Sequence, residues 1–243
     1  MSSVALIPLV DVTANALNKN ATFRKALEQT FDIAAEAPLP EIHRNTLIKR
    51  AKKLVTHIEA TPVGATQGKL ALYATCYGNY NEPHIGEDLV AVFEHNAIPV
   101  TIAESEGCCG MPKLELGNLK QVEHLKNANV PVLLEVIEAG YEIISTIPSC
   151  VLMYKQEIPL MFPDEEQLLT IKKNFYDPFE YLMQKEKQGS IKLDFINTLG
   201  KVSYHAACHQ RVQNFGAKTR DFLNLIPDTE VSMIERCSGH DGI

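Results

Sequence analysis

The chain has 243 residues, 45% hydrophobic and 22% charged, a balance that suits one large globular domain or two small ones. Its net charge of −7 leaves no basic stripe to neutralise phosphates, which argues against a nucleic-acid partner. No apolar run approaches the ~18 residues of a membrane span, and no basic stretch followed by an apolar core opens the chain, which points to the cytoplasm.

Residues 1–66 read as a helical segment without cysteine. Leu17, Phe23, Leu27 and Phe31 recur at helical spacing, and a basic helix is predicted from Glu41 to about Ile58, behind Pro38-Leu39-Pro40. Lys49, Arg50, Lys52 and Lys53 read as its solvated face in preference to a cationic binding patch. The stretch from Thr61 to Gly68 is punctuated by proline and glycine, so the compact core starts near Lys69. From there the chain alternates: strand Lys69–Thr75, helix Glu87–Asn96, strand Ile98–Ala103, a helical stretch Leu116–Gly140 interrupted near Asn129 and Pro131, strand Tyr141–Thr146, and a helix from Val151. Such alternation predicts βαβ units and a parallel sheet. After Pro159–Pro163 a long amphipathic segment, Glu165 to Gln188, leads to a strand (Lys201–Ala207), a helix (Gly216–Leu225) and a strand (Glu230–Glu235). The predicted fold is α/β, two related βαβ-type blocks with parallel sheets behind a helical N-terminal segment. The expected boundaries are 1–66, 67–163 and 164–243.

All six cysteines fall just past the carboxyl end of a predicted strand: Cys76, Cys108-Cys109 and Cys150 in the first block, Cys208 and Cys237 in the second. Loops of an open parallel sheet meet at that edge and ligands bind there, whereas core cysteines would scatter through element interiors. Cysteines in a cytosolic protein of this size read as metal ligands or redox groups in preference to a disulfide framework. Soft thiolates select iron–sulfur clusters, zinc or copper(I). In a strand, Cys108 and Cys109 would point to opposite faces; between Gly107 and Gly110 the backbone can turn sharply enough to aim both at one centre. Met111-Pro112 and Pro148-Ser149-Cys150 sit at expected helix starts, which would present N–H groups and positive dipole ends to an anionic centre. The intervals 108 − 76 = 32 and 150 − 109 = 41 contain no zinc knuckle. A cluster is therefore the favoured reading, ahead of zinc and of unligated redox thiols.

Cys76, Glu106-Gly-Cys-Cys-Gly110 and Ile147-Pro-Ser-Cys150 together resemble the cysteine-rich (CCG) domain. That domain is found in a heterodisulfide reductase subunit, in the iron–sulfur subunit of glycolate oxidase and in a subunit of anaerobic glycerol-3-phosphate dehydrogenase. Tyr204-His-Ala-Ala-Cys-His209 and Glu235-Arg-Cys-Ser-Gly-His-Asp-Gly242 look like a second copy. Their wording, with Ala37-Pro-Leu-Pro40, is most similar to the glycerol-3-phosphate dehydrogenase branch. The resemblance implies a four-iron cluster on Cys76, Cys108, Cys109 and Cys150, readily lost on aerobic handling. It also implies electron transfer between a flavin dehydrogenase subunit and a quinone or disulfide acceptor, with a ferredoxin-like domain or subunit alongside. The expected location is cytoplasmic, at the inner face of the membrane through a partner.

The sequence departs from the family pattern in three places. Ile147 stands where the last motif has its first cysteine, which leaves four thiols, and Ser238 replaces the second cysteine of the second Cys-Cys-Gly. The chain also ends at Ile243 before that copy closes, and no ferredoxin-like region with dense Cys-x-x-Cys repeats is present, so a fragment is expected. The second site then has only Cys208 and Cys237, with His209 and His240 as candidate ligands, and is expected to lack a four-iron cluster. His205 reads as a local polar residue, Tyr77 as a packing residue, His84 as a group near Cys76 that could tune solvent access or potential, and Arg211 as a surface residue beside Cys208. No Rossmann glycine fingerprint follows any strand, which argues against nicotinamide or flavin binding by this chain. The rivals to electron transfer are a thiol–disulfide reductase acting through Cys108 and Cys109, and a non-enzymatic metal-binding scaffold.

Overall fold

The computed structural model of the chain describes residues 9–54, 68–103 and 107–237. Strands β1 (Leu70–Tyr73), β2 (Val100–Ala103), β3 (Glu142–Ile144) and β4 (Phe175–Tyr176) form a parallel sheet in the order β2-β1-β3-β4. Helices α1 (Val10–Asn18), α2 (Ala21–Phe31) and α3 (Leu47–Leu54) precede it. Between β1 and β2 run α4 (Cys76–Tyr80) and α5 (Pro83–His95), and between β2 and β3 run α6 (Met111–Glu115) and α7 (Leu119–Glu138). After β3 come α8 (Pro148–Leu152), a π-helical turn (Met153–Glu157), α9 (Ile158–Met161) and α10 (Glu166–Asn174), and β4 is followed by α11 (Pro178–Lys187).

The period of two along β1 sends its side chains into two cores. Ala71 and Tyr73 pack with Val122, Leu133, Ile143, Tyr154 and Phe175, while Leu70 and Leu72 pack with Leu47, Phe93, Ile144 and Tyr181. All four β1 residues are buried, the pattern of a parallel strand covered by helices on both faces. The α/β expectation is met.

The second block holds β5 (Gly200–His205), α12 (Cys208–Arg211), α13 (Lys218–Leu223) and β6 (Thr229–Ile234), with β5 and β6 paired in parallel from Gly200↔Thr229 to His205↔Ile234. Its order, strand–short helix–helix–parallel strand, repeats β1–α4–α5–β2, and Cys76 and Cys208 each open the first helix of their copy. The two blocks are related in topology.

Four elements differ from the sequence reading. The basic helix begins at Leu47, not Glu41, because Asn81 and Asn15 side chains and the Tyr80 carbonyl bind the backbone of residues 41–43 outside any helix. Its predicted end at Ile58 and the linker from Thr61 lie outside the described residues, as do the side chains of Lys52 and Lys53. The stripe on α2 does not face a core: Phe31 is 67% exposed and Arg24 is the buried residue. Pro131 does not interrupt α7, since it and Asn127, whose carbonyl it leaves without a donor, are both on the exposed face where water can serve. The amphipathic segment Glu165–Gln188 is not one helix. Phe175 and Tyr176 leave it to pair with Ile143 and Ile144, and the Asp177–Glu180 capping box starts α11.

Candidate functional site

The chain passes from β1 to β2 on one side and then crosses to β3 on the other, so the topological switch point lies between the carboxyl ends of β1 and β3. Cys76 opens α4 after β1, Cys150 is the third residue of α8 after β3, and Cys108 and Cys109 follow β2. The three strands therefore deliver four thiols to one crevice.

Each approach is held by a specific contact. Thr75, the residue that caps α4, has φ 59° and ψ 170°, a region that β-branched residues rarely enter, while its Oγ1 accepts from the Gly78 N–H at 3.0 Å. The Tyr73 hydroxyl donates to the Gly107 carbonyl at 2.9 Å, and the buried Asn129 side chain donates to the Cys108 carbonyl at 2.9 Å. A Cβ at Gly107 would lie 2.3 Å from Asn129 Oδ1, so only glycine fits the loop there. Gly110, at φ 100°, turns its N–H onto Cys108 Sγ at 3.4 Å and starts α6.

The thiols influence one another in the order Cys76, Cys108, Cys109, Cys150. Cys109 and Cys150 are buried with Sγ atoms 3.1 Å apart, and Cys76 and Cys108 are half-buried. No disulfide joins them. Hydrogen bonds from the Cys109 and Cys76 thiols, helped by the Gly110 N–H and the Lys113 charge, hold the Cys108 thiol down at about 3. Cys76 is pushed up by donating to Cys108 and then by burial; Cys109 is pushed up by its bonds to Cys108 and Cys150 and by burial. The site therefore carries one ready thiolate, Cys108, beside two thiols, Cys76 and Cys109, whose proton loss a positive charge would favour. Among the described residues, no three His, Cys, Asp or Glu side chains are arranged around a single ion; the thiols form a chain of contacts instead. An aromatic wall closes the inner side, where Tyr154 stacks on Phe175 at 5.0 Å and meets Tyr73 edge-on at 5.6 Å.

The residues expected at the second site are not gathered in the same way. Cys208 lines a cavity of ≈ 500 Å³ with Tyr204, Arg211 and Glu235, and Cys237 is exposed just past β6. His209 turns to the first site: its Nδ1 is 2.7 Å from Ser149 Oγ, beside Cys150. His205 Nε2 pairs with the Arg236 carbonyl at 3.0 Å, and Arg211 lies 3.9 Å from Glu235. His240 and Ser238 lie outside the described residues. Near Cys76, Tyr77 is 41% exposed and His84 is 3.4 Å from Glu82. The sequence reading passed over the roles of Tyr73, Thr75, Asn129 and Tyr154. Only Asn129 carried a local signal, a polar residue beside Val130 and Leu133 on a helical stripe.

A family model described as the cysteine-rich domain, CCG, matches residues 70–155. The whole chain is 25% identical over 252 residues to a subunit of anaerobic glycerol-3-phosphate dehydrogenase from Escherichia coli, spanning 61% of that protein's length. Over 81% of the chain it is 28% identical to a subunit of the fumarate reductase (CoM/CoB) of Methanothermobacter marburgensis, spanning 38% of that protein. Lactate utilization protein A of Bacillus pumilus is 24% identical over 72% of the chain and 73% of its own length. No solved structure matches. The matched segment contains β1, β2, β3 and all four thiols of the crevice.

Proposed function

Because residues 70–155 are a cysteine-rich (CCG) domain, we propose that Cys76, Cys108, Cys109 and Cys150 hold an iron–sulfur cluster of the four-iron type, and that the chain relays electrons within an oxidoreductase complex. The observation that carries this reading is the contact of four thiols, from three loops, at the switch point of the sheet. The donor set fits the group: all four contacts are sulfur, and thiolate-only sets are the usual holders of iron–sulfur clusters. A bound cluster would supply one-electron transfer. The chain's own part is to hold four thiolates, to set the Gly110 N–H against Cys108, and to keep water from Cys109 and Cys150 behind Tyr73 and Tyr154.

The half-buried pair Cys76 and Cys108 marks the side from which electrons enter or leave. Two relatives are named as subunits of a dehydrogenase and a reductase, which supports a dehydrogenase partner here, of the flavin type, with a ferredoxin-like domain or subunit and a quinone or disulfide acceptor. No helix among the described residues is long and apolar enough to cross a membrane; a cytoplasmic chain reaching the inner membrane face through its partner agrees with that. For the second site we propose no four-iron cluster: Cys208 lines a cavity without His209, whose ring is against Ser149.

A second reading has one observation in its favour. Cys109 and Cys150, 3.1 Å apart beside the Cys108 thiolate, could close to a disulfide with loss of two electrons and two protons. Anaerobic reconstitution with iron and sulfide separates the readings. A visible absorption that bleaches with dithionite and is absent in Cys76→Ser is the expected result. Protein that stays colourless while its thiols cycle with a disulfide substrate would overturn the cluster reading in favour of thiol–disulfide exchange.

A further inference from the structure

We propose that His209, a residue of the second block, is a positioning residue of the first site: through Ser149 it fixes the start of α8, and with it the place of Cys150 among the four thiols. The part that concerns a cluster rests on the iron–sulfur reading above. α8 has no cap of its own. Its cap residue is Ile147, whose side chain makes no capping hydrogen bond, where serine, threonine, aspartate or asparagine would ordinarily supply one. The helix is also only five residues long, too short to hold itself without outside contacts. Cys150 is the third of those five residues, so a shift of the helix start moves its sulfur.

The second block supplies what this helix lacks. His209 Nδ1 and Ser149 Oγ share a hydrogen bond at 2.7 Å, and the buried Gln213 side chain donates to the Pro148 carbonyl at 3.1 Å. Pro148 and Ser149 are the two residues immediately before Cys150. The Gln213 amide also donates to the His209 carbonyl at 2.7 Å, so the backbone of the histidine is held as well. Gln210, next along α12, anchors that helix independently by donating to Asp177 at 3.1 Å. On the other side of the imidazole, Nε2 lies 4.0 Å from Glu115, the last residue of α6, which begins directly after Gly110. His209 therefore stands between the helix that carries Cys150 and the helix that leads away from Cys108-Cys109. A hydrogen bond one residue from a ligand orients that ligand and passes its own changes to the metal centre.

His209→Ala removes the bond to Ser149, whereas His209→Asn keeps a polar atom at the place of Nδ1. In the cluster-free protein, hydrogen exchange of the peptide around residues 148–152 should quicken roughly fivefold to tenfold in His209→Ala, the worth of about one net hydrogen bond. It should return close to the wild-type rate in His209→Asn. Ser149→Ala should match His209→Ala, and the double variant should open no faster than either, because the same bond is lost in all three. Loaded anaerobically with iron and sulfide, His209→Ala should release iron to a chelator severalfold faster than wild type and show a changed electron paramagnetic resonance spectrum; His209→Asn should do neither. Gln156→Ala is the control: it removes another bond between the blocks, to the Val212 carbonyl, and should move none of these readouts. Wild-type exchange in His209→Ala would overturn the proposal. So would equal quickening in Gln156→Ala, since the effect would then be a general loosening of the blocks, or a His209→Asn variant as fast as His209→Ala. Quickened exchange with unchanged iron release and spectrum would overturn the role at the cluster. Wild-type protein that takes up no iron would overturn the cluster reading, and the exchange rates would still decide whether His209 holds α8.

Discussion

Replacing Asn129 by alanine tests whether the Cys108-Cys109 loop is held from α7. The Asn129 side chain is 1% exposed and donates to the Cys108 carbonyl at 2.9 Å. Stripping a partly buried carbonyl of its donor costs about 2 kcal/mol. Alanine inside a helix returns about 0.6 kcal/mol through its better propensity, so the net loss is about 1.4 kcal/mol. For a chain of this length each kcal/mol lowers the melting temperature by about 2–4 °C, which gives about 3–6 °C. Circular dichroism of the cluster-free protein measures that shift, and hydrogen exchange should show faster opening confined to the peptide around residues 107–110. The loosened loop should also retain less iron after reconstitution. A variant that melts with the wild type and exchanges that loop no faster would show that the hydrogen bond does not hold the site, whatever helix propensity contributes.

Thr75 sits at φ 59° as the cap of α4, so two substitutions should act in opposite directions. Thr75→Gly gives up a few tenths of a kcal/mol of capping but relieves strain of about 1–3 kcal/mol, and should raise the melting temperature; Thr75→Ala keeps the strain, loses the cap, and should lower it. Melting curves in which both fall would mean the backbone there is not strained. Asp177 supplies a pH test: burial pushes its carboxyl above the usual carboxylate value, against the hydrogen bonds from Gln210, Phe179 and Glu180. Its native form binds the proton more readily than its unfolded form, so its contribution is fully present below about pH 4 and is lost as the pH rises through the raised native value. Urea titrations should show the stability of wild type relative to Asp177→Asn declining over that window, and a difference that grows with pH would contradict the assignment.

The thiol site was legible in the sequence because two regularities coincide. Short apolar strands mark the carboxyl edge of a parallel sheet, and Cys76, Cys108, Cys109 and Cys150 all follow such strands. The glycines on either side of the Cys-Cys pair could also be read directly, and both are required: Gly107 by the approach of Asn129, Gly110 by its φ of 100°. What was hidden depends on tertiary contact. Tyr73 is one more apolar residue in a strand until its hydroxyl meets the Gly107 carbonyl, and Asn129 looks like a helix interruption until α7 packs under the loop. β4 was hidden for another reason. Two residues are too few to show a period, and Phe175 and Tyr176 are strand only because β3 offers an open edge. The placement of His209 was hidden too: next to Cys208 in sequence, its ring lies against Ser149, a contact that only the tertiary fold creates.

The most direct test of the account is iron and acid-labile sulfide per chain in anaerobically reconstituted wild type, Cys109→Ser and Cys208→Ser. A serine hydroxyl stays protonated near neutral pH and is a poor substitute for thiolate. Wild type and Cys208→Ser should each hold roughly four irons and four sulfides, and Cys109→Ser should lose most of both. Undiminished iron in Cys109→Ser, or iron that disappears with Cys208→Ser instead, would contradict a cluster held by the four thiols at the switch point.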